Sequence, residues 1–162
     1  MREIPLTQGK VALVDDEDFP DISQFKWYAL KGGLTFYARH ALRCDGKRDF
    51  ESMHRRILKC KPGQRVDHEN HNGLDNQKHN IRRCTRSENN RNRKKQKNPT
   101  SSEFKGVHWD RCNGKWQAQI RKNGRNKHLG LFVSDVEAAH AYDVAARKIF
   151  GEFALTNFEA AQ

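Results

Sequence analysis

Short apolar runs bounded by turn-forming residues fill the first fifty positions of the chain. They cover residues 11–14, 25–30 and 35–42. Runs of this length, separated by acidic and glycine breakers, are typical of β-strands rather than helices. Between Ser52 and Cys60 the apolar positions recur at helical spacing and Pro62 follows, which predicts one short amphipathic helix.

The C-terminal part carries the most regular pattern. Two Asn-Gly pairs are hairpin turn signals and separate three strand patterns. The strand patterns are Phe104–Asp110, Lys115–Lys122 and Lys127–Val133. Residues 134–137 form a capping box at the start of an alanine-rich helix, which Gly151 ends. The pattern therefore predicts a three-stranded antiparallel sheet packed on one helix.

A stretch without apolar residues lies between Arg91 and Glu103, first basic and then polar. Such a stretch cannot pack against a core and predicts a linker. The chain of 162 residues has an apolar fraction of 35% and a mean hydropathy of −1.02, which favours two small α+β domains. The predicted segments are a first domain over residues 1–95, a linker over 96–103 and a second domain over 104–158.

The net charge of +11 and the isoelectric point near 9.8 indicate a polyanionic partner. Lys and Arg side chains that neutralise phosphates supply much of the affinity of nucleic-acid binding. The basic excess lies in the middle of the chain, where residues 41–100 hold 17 basic and 7 acidic side chains. Charge alone does not separate nucleases from repressors or ribosomal proteins, so the class depends on the motifs of that region.

The cysteines lie far apart and form no C-x-x-C pair, so no zinc site and no redox motif is predicted. They are Cys44, Cys60, Cys84 and Cys112. No signal peptide precedes Ile4, and no apolar run approaches the length of a membrane span. We therefore expect a cytoplasmic protein of a bacterium or a phage-infected cell, with reduced thiols and no membrane partner.

A cluster of Asp, His and Asn residues lies within residues 65–93, which read RVDHENHNGLDNQKHNIRRCTRSENNRNR. Asp67 and His68 are adjacent, and Asn80 and Asn89 follow His68 at spacings of 12 and 21 residues. With the leader segments and the helix that begins near Ser52, this motif resembles the HNH nuclease superfamily, in particular the phage and intron-encoded homing type. The resemblance implies a ββα-metal (His-Me finger) nuclease domain with short leading strands.

The resemblance also implies a role for each residue of the motif. Asp67 and Asn89 would hold one divalent metal ion, Mg²⁺ or Mn²⁺. His68 would be the general base, and Asn80 would brace the loop and orient the histidine. Hydrolysis of a phosphodiester needs a deprotonated water in line with the leaving 3′ oxygen, together with positive charge at the phosphate. Because neighbouring strand residues point to opposite faces, the strand end must twist for Asp67 and His68 to serve one site.

Neighbouring residues remain alternatives for two of these roles. His71 and His79 are alternative bases, and Asn90 and Asn92 are alternative metal ligands. The register of the family favours the residues named above. His54, on the predicted short helix, is interpreted as a structural histidine rather than a ligand.

A second pattern spans residues 104–158. It comprises Phe104-Lys-Gly-Val107, Lys115-Trp116, Gln119-Ile120-Arg121, Leu129-Gly130, Glu137-Ala-Ala139, Ala141-Tyr-Asp143 and Asn157-Phe158. These residues resemble the plant APETALA-two/ethylene-response-factor (AP2/ERF) type of DNA-binding domain. In the second strand Trp116, Ala118 and Ile120 alternate with polar residues, so we expect them to face the helix. The opposite, polar face would enter the major groove of DNA.

The resemblance implies DNA contacts on this polar face. The predicted contact residues are His108, Arg111, Lys115, Gln117, Gln119, Arg121, Asn126 and His128. Arg111 and Lys115 are assigned to phosphates, whereas Gln and Arg side chains of the sheet read adenine and guanine edges. Because His108, Asn126 and His128 stand where the plant proteins have Arg or Trp, the plant target sequence is not carried over.

The sequence as a whole predicts a metal-dependent DNA endonuclease that its second domain directs to double-stranded DNA. Two weak binding modules on one chain raise each other's effective concentration, which adds specificity to the nuclease. We expect a monomer or a weak homodimer. The alternative is a non-catalytic, sequence-specific DNA-binding protein of the transcription-factor type. An RNA-binding protein is disfavoured, because the aromatic signature of common RNA-binding modules is missing.

Overall fold

The computed structural model describes residues 1–44, 47–95 and 101–158, and the chain forms two compact units, Met1–Asn89 and Asn90–Gln162. Both units combine small antiparallel sheets with helices, so the predicted α+β class is confirmed. The division lies earlier in the chain than the predicted end of the first domain at residue 95. Among the helices of the described ranges, none has the length and apolar character that crossing a membrane requires.

The first unit is built from hairpins and short helices. Its strands are β1 (Arg2–Pro5), β2 (Val11–Val14), β3 (Tyr28–Gly32), β4 (Thr35–Cys44), β5 (Lys47–Ser52), β6 (Arg65–His68) and β7 (Ile81–Cys84). Its helices are α1 (Phe19–Ile22), α2 (Met53–Ile57) and α3 (Arg86–Arg91), and the last residues of α3 belong to the second unit. β1 pairs with β2, β3 to β5 form a meander, and β6 pairs with β7.

The predicted strands at 11–14 and 35–42 are present as β2 and β4, and the predicted short helix is present as α2. The run at 25–30 is a strand only from Tyr28, where β3 begins. The pattern did not reveal β1, α1 or β5. β5 reads KRDFES, in which Phe50 is the one apolar residue, so no alternation marks it as a strand. Pairing with β4 provides the backbone hydrogen bonds that its own pattern does not predict.

An apolar cluster joins the small sheets of the first unit. Its buried members are Ile4, Ala12, Val14, Ile22, Trp27, Ala38, Met53, Ile57 and Ile81. Trp27 donates its indole N–H to the carbonyl oxygen of Ile22 at 2.8 Å, so its polar atom is satisfied inside the cluster. Because the cluster includes residues of β1, β2, α2 and β7, it anchors the leader strands and the β6–β7 hairpin to one core.

The second unit has the predicted sheet and helix. Its strands are β8 (Val107–Asp110), β9 (Lys115–Lys122) and β10 (Arg125–Phe132), and its long helix is α4 (Asp135–Phe150). The strands are antiparallel in the order β10–β9–β8. Ser134 and Glu137 form the predicted capping box, and Gly151 ends α4 with a φ of +56°. Local signals at both ends therefore set the length of α4.

Small residues let α4 lie close to the sheet. Ala138, Ala139 and Ala146 are fully buried. Gly106, which precedes β8, has a φ of +80°, and a Cβ there would lie 2.1 Å from the Cδ2 atom of Tyr142. Both the backbone conformation and the contact with the Tyr142 ring therefore require glycine at position 106.

Asp143 of α4 holds the C-terminal segment against the sheet. Its carboxylate accepts the backbone N–H of Asn157 at 2.8 Å, the side-chain amide of Asn157 at 3.0 Å and the backbone N–H of Phe158 at 2.9 Å. Asn157 in turn accepts the backbone N–H of Lys105 at 2.6 Å. One buried carboxylate thus links the helix, the C-terminal segment and the start of the sheet.

Replacing Asp143 with alanine is expected to destabilise the chain by about 2–4 kcal/mol, because buried N–H groups lose a charged acceptor. We expect the melting temperature of the second unit, measured by calorimetry on the full chain, to fall by on the order of 10 °C. Asp135→Asn, at the start of the same helix, is the control and should cost no more than about 1 kcal/mol. An Asp143→Ala transition at the wild-type temperature would contradict this role.

Polar contacts help to order the segment before the sheet, in addition to the packing of Phe104 against the apolar cluster of the second unit. Lys95 donates through Nζ to the carbonyl oxygens of Ser102 at 2.7 Å and Phe104 at 2.8 Å. Of the predicted linker, 96–103, residues 96–100 lie outside the described residues. The hydrophobic pattern does not predict these contacts, because they depend on the ammonium group of a lysine and on backbone carbonyl oxygens rather than on the spacing of apolar residues.

Candidate functional site

Asp67 and His68 end strand β6, and each is only 6% exposed. Asp67 faces Arg82 across the β6–β7 hairpin, and its Oδ2 atom accepts from Nη2 of Arg82 at 3.0 Å and from Nε at 3.2 Å. Nη1 of Arg82 also lies 3.3 Å from Oε2 of Glu69. Adjacent residues of a strand point to opposite faces, so one of the two would be exposed if one face met solvent. Asp67 and His68 are nevertheless both buried.

The imidazole of His68 lies among other rings and has a polar neighbour. Its Nε2 atom is 3.5 Å from Oδ1 of Asn76, and its ring centroid is 5.0 Å from that of His54 and 5.7 Å from that of Tyr37. Burial lowers the pKa of His68, and the contact with Asn76 and nearby carboxylates partly offset this effect. His68 is therefore held in the neutral form, which is the form able to accept a proton.

Asn80 ties together the loop that follows His68. Its Oδ1 atom accepts the backbone N–H of Asn70 at 2.9 Å, and its Nδ2 atom donates to the carbonyl oxygen of Asp75 at 2.8 Å. Its own carbonyl oxygen accepts the N–H of Glu69 at 2.9 Å. The structure thus places Asn80, 3% exposed, where it contacts both the beginning and the middle of the loop.

Further Asn and Asp side chains of this loop bind its own backbone. Oδ1 of Asn70 accepts the N–H of Asn72 at 2.8 Å, and Oδ1 of Asn72 accepts the N–H of Leu74 at 3.1 Å. Nδ2 of Asn70 donates to Oδ2 of Asp75 at 2.7 Å. Side-chain bonds of this kind replace regular secondary structure, so the polar sequence between β6 and β7 specifies an ordered loop.

Strand β2 and the acidic turn after it also form hydrogen bonds to the loop between β6 and β7. The motif did not predict these contacts. Leu13 of β2 donates to the carbonyl oxygen of Leu74 and accepts the N–H of Asn76, both at 2.8 Å. The carboxylate of Asp15 accepts the N–H of Lys78 at 2.7 Å, and this bond lowers the pKa of Asp15. The acidic turn after β2 was the one signal in the sequence for this role.

Helix α3 begins directly after β7 with reciprocal capping bonds. The N–H of Thr85 donates to Oε2 of Glu88 at 2.7 Å, and the N–H of Glu88 donates to Oγ1 of Thr85 at 3.2 Å. The half-buried Asn89 follows in the next position. Burial, and then the carboxylates of Asp67 and Glu88, raise the pKa of Cys84.

The alternative site residues occupy different surroundings. His79 is exposed, and His71 is half-buried with a φ of +63°. Asn90 is exposed, whereas Asn92 is 4% exposed within the second unit. His68 is thus more buried than either alternative base.

The donor atoms of Asp67 and Asn89 suit a hard divalent cation, because carboxylate and amide oxygens are the ligands that Mg²⁺ and Mn²⁺ prefer. Arg82 already binds one carboxylate oxygen of Asp67. A metal ion would share this carboxylate with the guanidinium or displace it. The residues present therefore fit a divalent metal in their chemistry.

An acidic group of the first unit lies apart from this motif in the sequence. Asp15, Glu17 and Asp18 bring one carboxylate oxygen each to within 4.8 Å of one another. Nζ of Lys78 lies 2.5 Å from Glu17 and 3.2 Å from Asp18, so one lysine already offsets part of their negative charge. We assign no metal to this group.

One face of the second-unit sheet collects most of the predicted DNA-contact residues. In β9 these residues alternate with the buried Ala118 and Ile120, so they point away from α4. Cross-strand pairing places further predicted residues opposite them on the same face. The residues that share this face, called here the polar sheet face, are His108, Gln117, Gln119, Arg121, Asn126 and His128.

Lys115 and Arg111 extend the polar sheet face at one end. Lys115 begins β9 and Arg111 lies in the turn after β8, and both are exposed. Within the face, Nε2 of Gln117 lies 2.8 Å from Nδ1 of His128. This contact orients two side chains that would meet base edges.

No protein-family model matches the chain. The chain is similar to a protein named uncharacterized HNH endonuclease from Acanthamoeba polyphaga mimivirus, with 32% identity over 156 residues that cover 93% of this chain and 76% of the relative. It is also similar to APETALA2-like protein 2 from Oryza sativa subsp. indica, with 48% identity over 63 residues, 38% of this chain and 14% of that protein. The dehydration-responsive element-binding protein 2A of the same rice is 49% identical over 57 residues, 34% of this chain and 20% of that protein.

Proposed function

The chain belongs to the HNH endonuclease family and carries an AP2/ERF-type segment, and from this premise we propose that it is a metal-dependent DNA endonuclease. The observation that carries the proposal is the buried imidazole of His68, which lies next to the buried carboxylate of Asp67 at the end of strand β6. In this proposal β6, β7 and α3 form the ββα-metal unit, and the scissile phosphate binds beside them.

His68 is the proposed general base. A neutral imidazole takes a proton from the attacking water, and the hydroxide then displaces the 3′ oxygen of the scissile phosphodiester. Asn80 acts on this step indirectly, because its three bonds fix the loop that begins directly after His68. A loop held at several points keeps the base in one orientation, which is what proton transfer requires.

Asp67 and Asn89 are the proposed metal ligands. A bound Mg²⁺ or Mn²⁺ supplies positive charge to the phosphate and the departing oxygen. The guanidinium of Arg82 fixes the carboxylate of Asp67 through two nitrogen atoms, which orients this ligand before any metal binds.

The second unit is proposed to bind double-stranded DNA through the polar sheet face. This face offers amide, imidazole and guanidinium groups, which are the donors and acceptors that read base edges in the major groove. Tethering to the nuclease unit raises the effective concentration of the nuclease near the bound site. A monomer with one nuclease unit cuts one strand in each binding event.

Supercoiled plasmid tests the proposed function directly. The purified chain is incubated with plasmid in Mg²⁺, in Mn²⁺ and in EDTA, and binding is followed in parallel by gel shift. We expect nicked or linear product with metal and intact plasmid in EDTA. Plasmid that is shifted but never cut, with its target site included, would favour the non-catalytic DNA-binding protein instead.

Two substitutions in the second unit separate base contacts from phosphate contacts. Arg121→Ala is expected to weaken binding to the preferred site by about 1–3 kcal/mol and to relax the sequence preference. Lys115→Ala should weaken binding to all sequences alike and reduce the salt slope of the affinity by about 1. Binding isotherms on the selected site and on scrambled DNA at several salt concentrations measure both effects. Equal loss on both DNAs for Arg121→Ala would contradict its role in readout.

A further inference from the structure

Three rings from distant parts of the sequence meet at the proposed base. The ring centroids are 5.0 Å apart for His54 and His68, 5.7 Å for Tyr37 and His68, and 5.9 Å for Tyr37 and His54. The planes of the two imidazoles are nearly perpendicular, at 88°. Tyr37 belongs to β4 and His54 to α2, so neither residue lies in the motif that resembles the nucleases. Each of the three rings thus contacts the other two.

Gly73 and Gly32 pack against opposite edges of the Tyr37 ring. A Cβ at Gly73 would lie 2.6 Å from Cδ1 and Cε1 of Tyr37, and a Cβ at Gly32 would lie 2.8 Å from Cε2. Gly73 belongs to the loop after His68, and its N–H donates to Oγ1 of Thr35 at 3.0 Å. The ring of Tyr37 therefore has little room to move, and it connects β4 to that loop.

On its buried side, the imidazole of His54 packs against neighbouring rings and does not form a hydrogen bond to a described residue. Its Nδ1 atom is buried and has no hydrogen-bond partner among the described residues. Burial, with smaller effects of His68 and two nearby arginines, lowers the pKa of His54 to about 3, so this imidazole carries no charge near neutral pH. A neutral ring with an unpartnered nitrogen packs on His68 without competing for its protons.

The contact between His68 and Asn76 is long. The distance of 3.5 Å between Nε2 of His68 and Oδ1 of Asn76 is at the limit of a hydrogen bond. A general base must nevertheless keep one orientation, since a displacement of about 1 Å can cost on the order of a hundredfold in rate. The rings of Tyr37 and His54 restrict the orientation of the His68 imidazole through their packing.

We propose that Tyr37 and His54 are positioning residues for His68, whose rings hold its imidazole in the orientation that the reaction uses. This inference rests on the proposed nuclease function. It makes strand β4 and the short helix α2 part of the active site, although neither carries a residue of the motif in residues 65–93. The role lies in the rings themselves and not in the hydroxyl of Tyr37 or in the nitrogens of His54.

Paired substitutions separate the ring from its polar atoms. We expect Tyr37→Leu and His54→Ala to lower the single-turnover cleavage rate at saturating DNA by about 10- to 100-fold, with DNA affinity unchanged within about twofold. Tyr37→Phe and His54→Phe keep a ring and should retain the rate within about threefold. Equal losses for Tyr37→Phe and Tyr37→Leu would overturn the proposal, because the hydroxyl would then be the active group.

His40 provides a matched control for the loss of a packed histidine. It is 6% exposed in the same unit, and its ring lies 4.9 Å from that of Phe25 and 5.0 Å from that of Trp27. His40→Ala should lower the melting temperature but leave the cleavage rate of the folded chain intact. If His54→Ala reduces the rate no more than His40→Ala does at equal loss of stability, the proposal is wrong.

A second readout needs neither DNA nor metal and therefore does not depend on the nuclease function. In protein labelled with ¹³C-histidine, the ring resonance of His68, assigned with His68→Ala, should be single and sharp in the wild type and in Tyr37→Phe. It should broaden or split in Tyr37→Leu and in His54→Ala. An unchanged resonance in these two variants would overturn the positioning role. A wild type that never cuts DNA but shows the expected broadening would overturn the proposed function alone.

Discussion

Replacing His68 with alanine is expected to lower the rate of DNA cleavage by about 10²- to 10⁴-fold, the range that a positioned general base contributes. His54, the neighbouring histidine, does not replace it, because burial lowers the pKa of His54 to about 3 and makes it a weak base. DNA affinity should change little, since the proposed base and phosphate contacts of the polar sheet face lie in the second unit. Single-turnover cleavage of plasmid in Mg²⁺, with gel shifts in parallel, measures both quantities.

His79→Ala is the matched control for this substitution. His79 lies in the same loop but is exposed, and it remained an alternative base at the level of the sequence. We expect this variant to cut at the wild-type rate within about twofold. If instead His79→Ala loses activity while His68→Ala keeps it, the base is His79 and the assignment by family register is wrong.

The second unit could be predicted almost completely because its signals are local. Hairpin turns, a capping box and the alternation of buried residues in β9 each depend on residues close in sequence, and each is present in the second unit. The buried Asp143 and the lysines before the sheet were not predicted. Lys95 binds carbonyl oxygens 7 and 9 residues along the chain, and Asp143 binds backbone N–H groups 14 and 15 residues away. No periodicity of apolar residues marks such contacts.

In the first unit, the sequence predicted the motif residues but not the distant residues that contact them. The types and spacing of Asp67, His68 and Asn80 indicated them as candidate site residues, and their roles remain a proposal. The motif gave no sign of Tyr37 or Leu13, which reach the same loop through packing and backbone bonds. Contacts between distant segments depend on how the strands pair, so one sequence without its fold does not reveal them.

Replacing Asp67 with asparagine is expected to lower cleavage about a thousandfold or more, because Lewis-acid stabilisation contributes several kcal/mol and about 1.4 kcal/mol corresponds to a tenfold rate change. The amide removes the negative charge that would hold the metal and that now binds Arg82 at 3.0 Å. We expect the affinity for Mn²⁺, measured by calorimetry on the full chain, to fall below detection. Gel shifts should show unchanged DNA binding.

Glu69→Gln separates loss of the metal ligand from loss of a partner for Arg82. The carboxylate of Glu69 lies 3.3 Å from Arg82, but its side chain is 59% exposed, so its neutralisation changes the charge beside the guanidinium without changing Asp67. This variant should bind Mn²⁺ and cut plasmid within about threefold of the wild type, because exposed ion pairs contribute little. If Glu69→Gln loses as much activity as Asp67→Asn, the reaction depends on the negative charge beside Arg82. The assignment of Asp67 as a metal ligand would then be wrong. If Asp67→Asn still binds Mn²⁺ and cuts at the wild-type rate, the metal is held elsewhere.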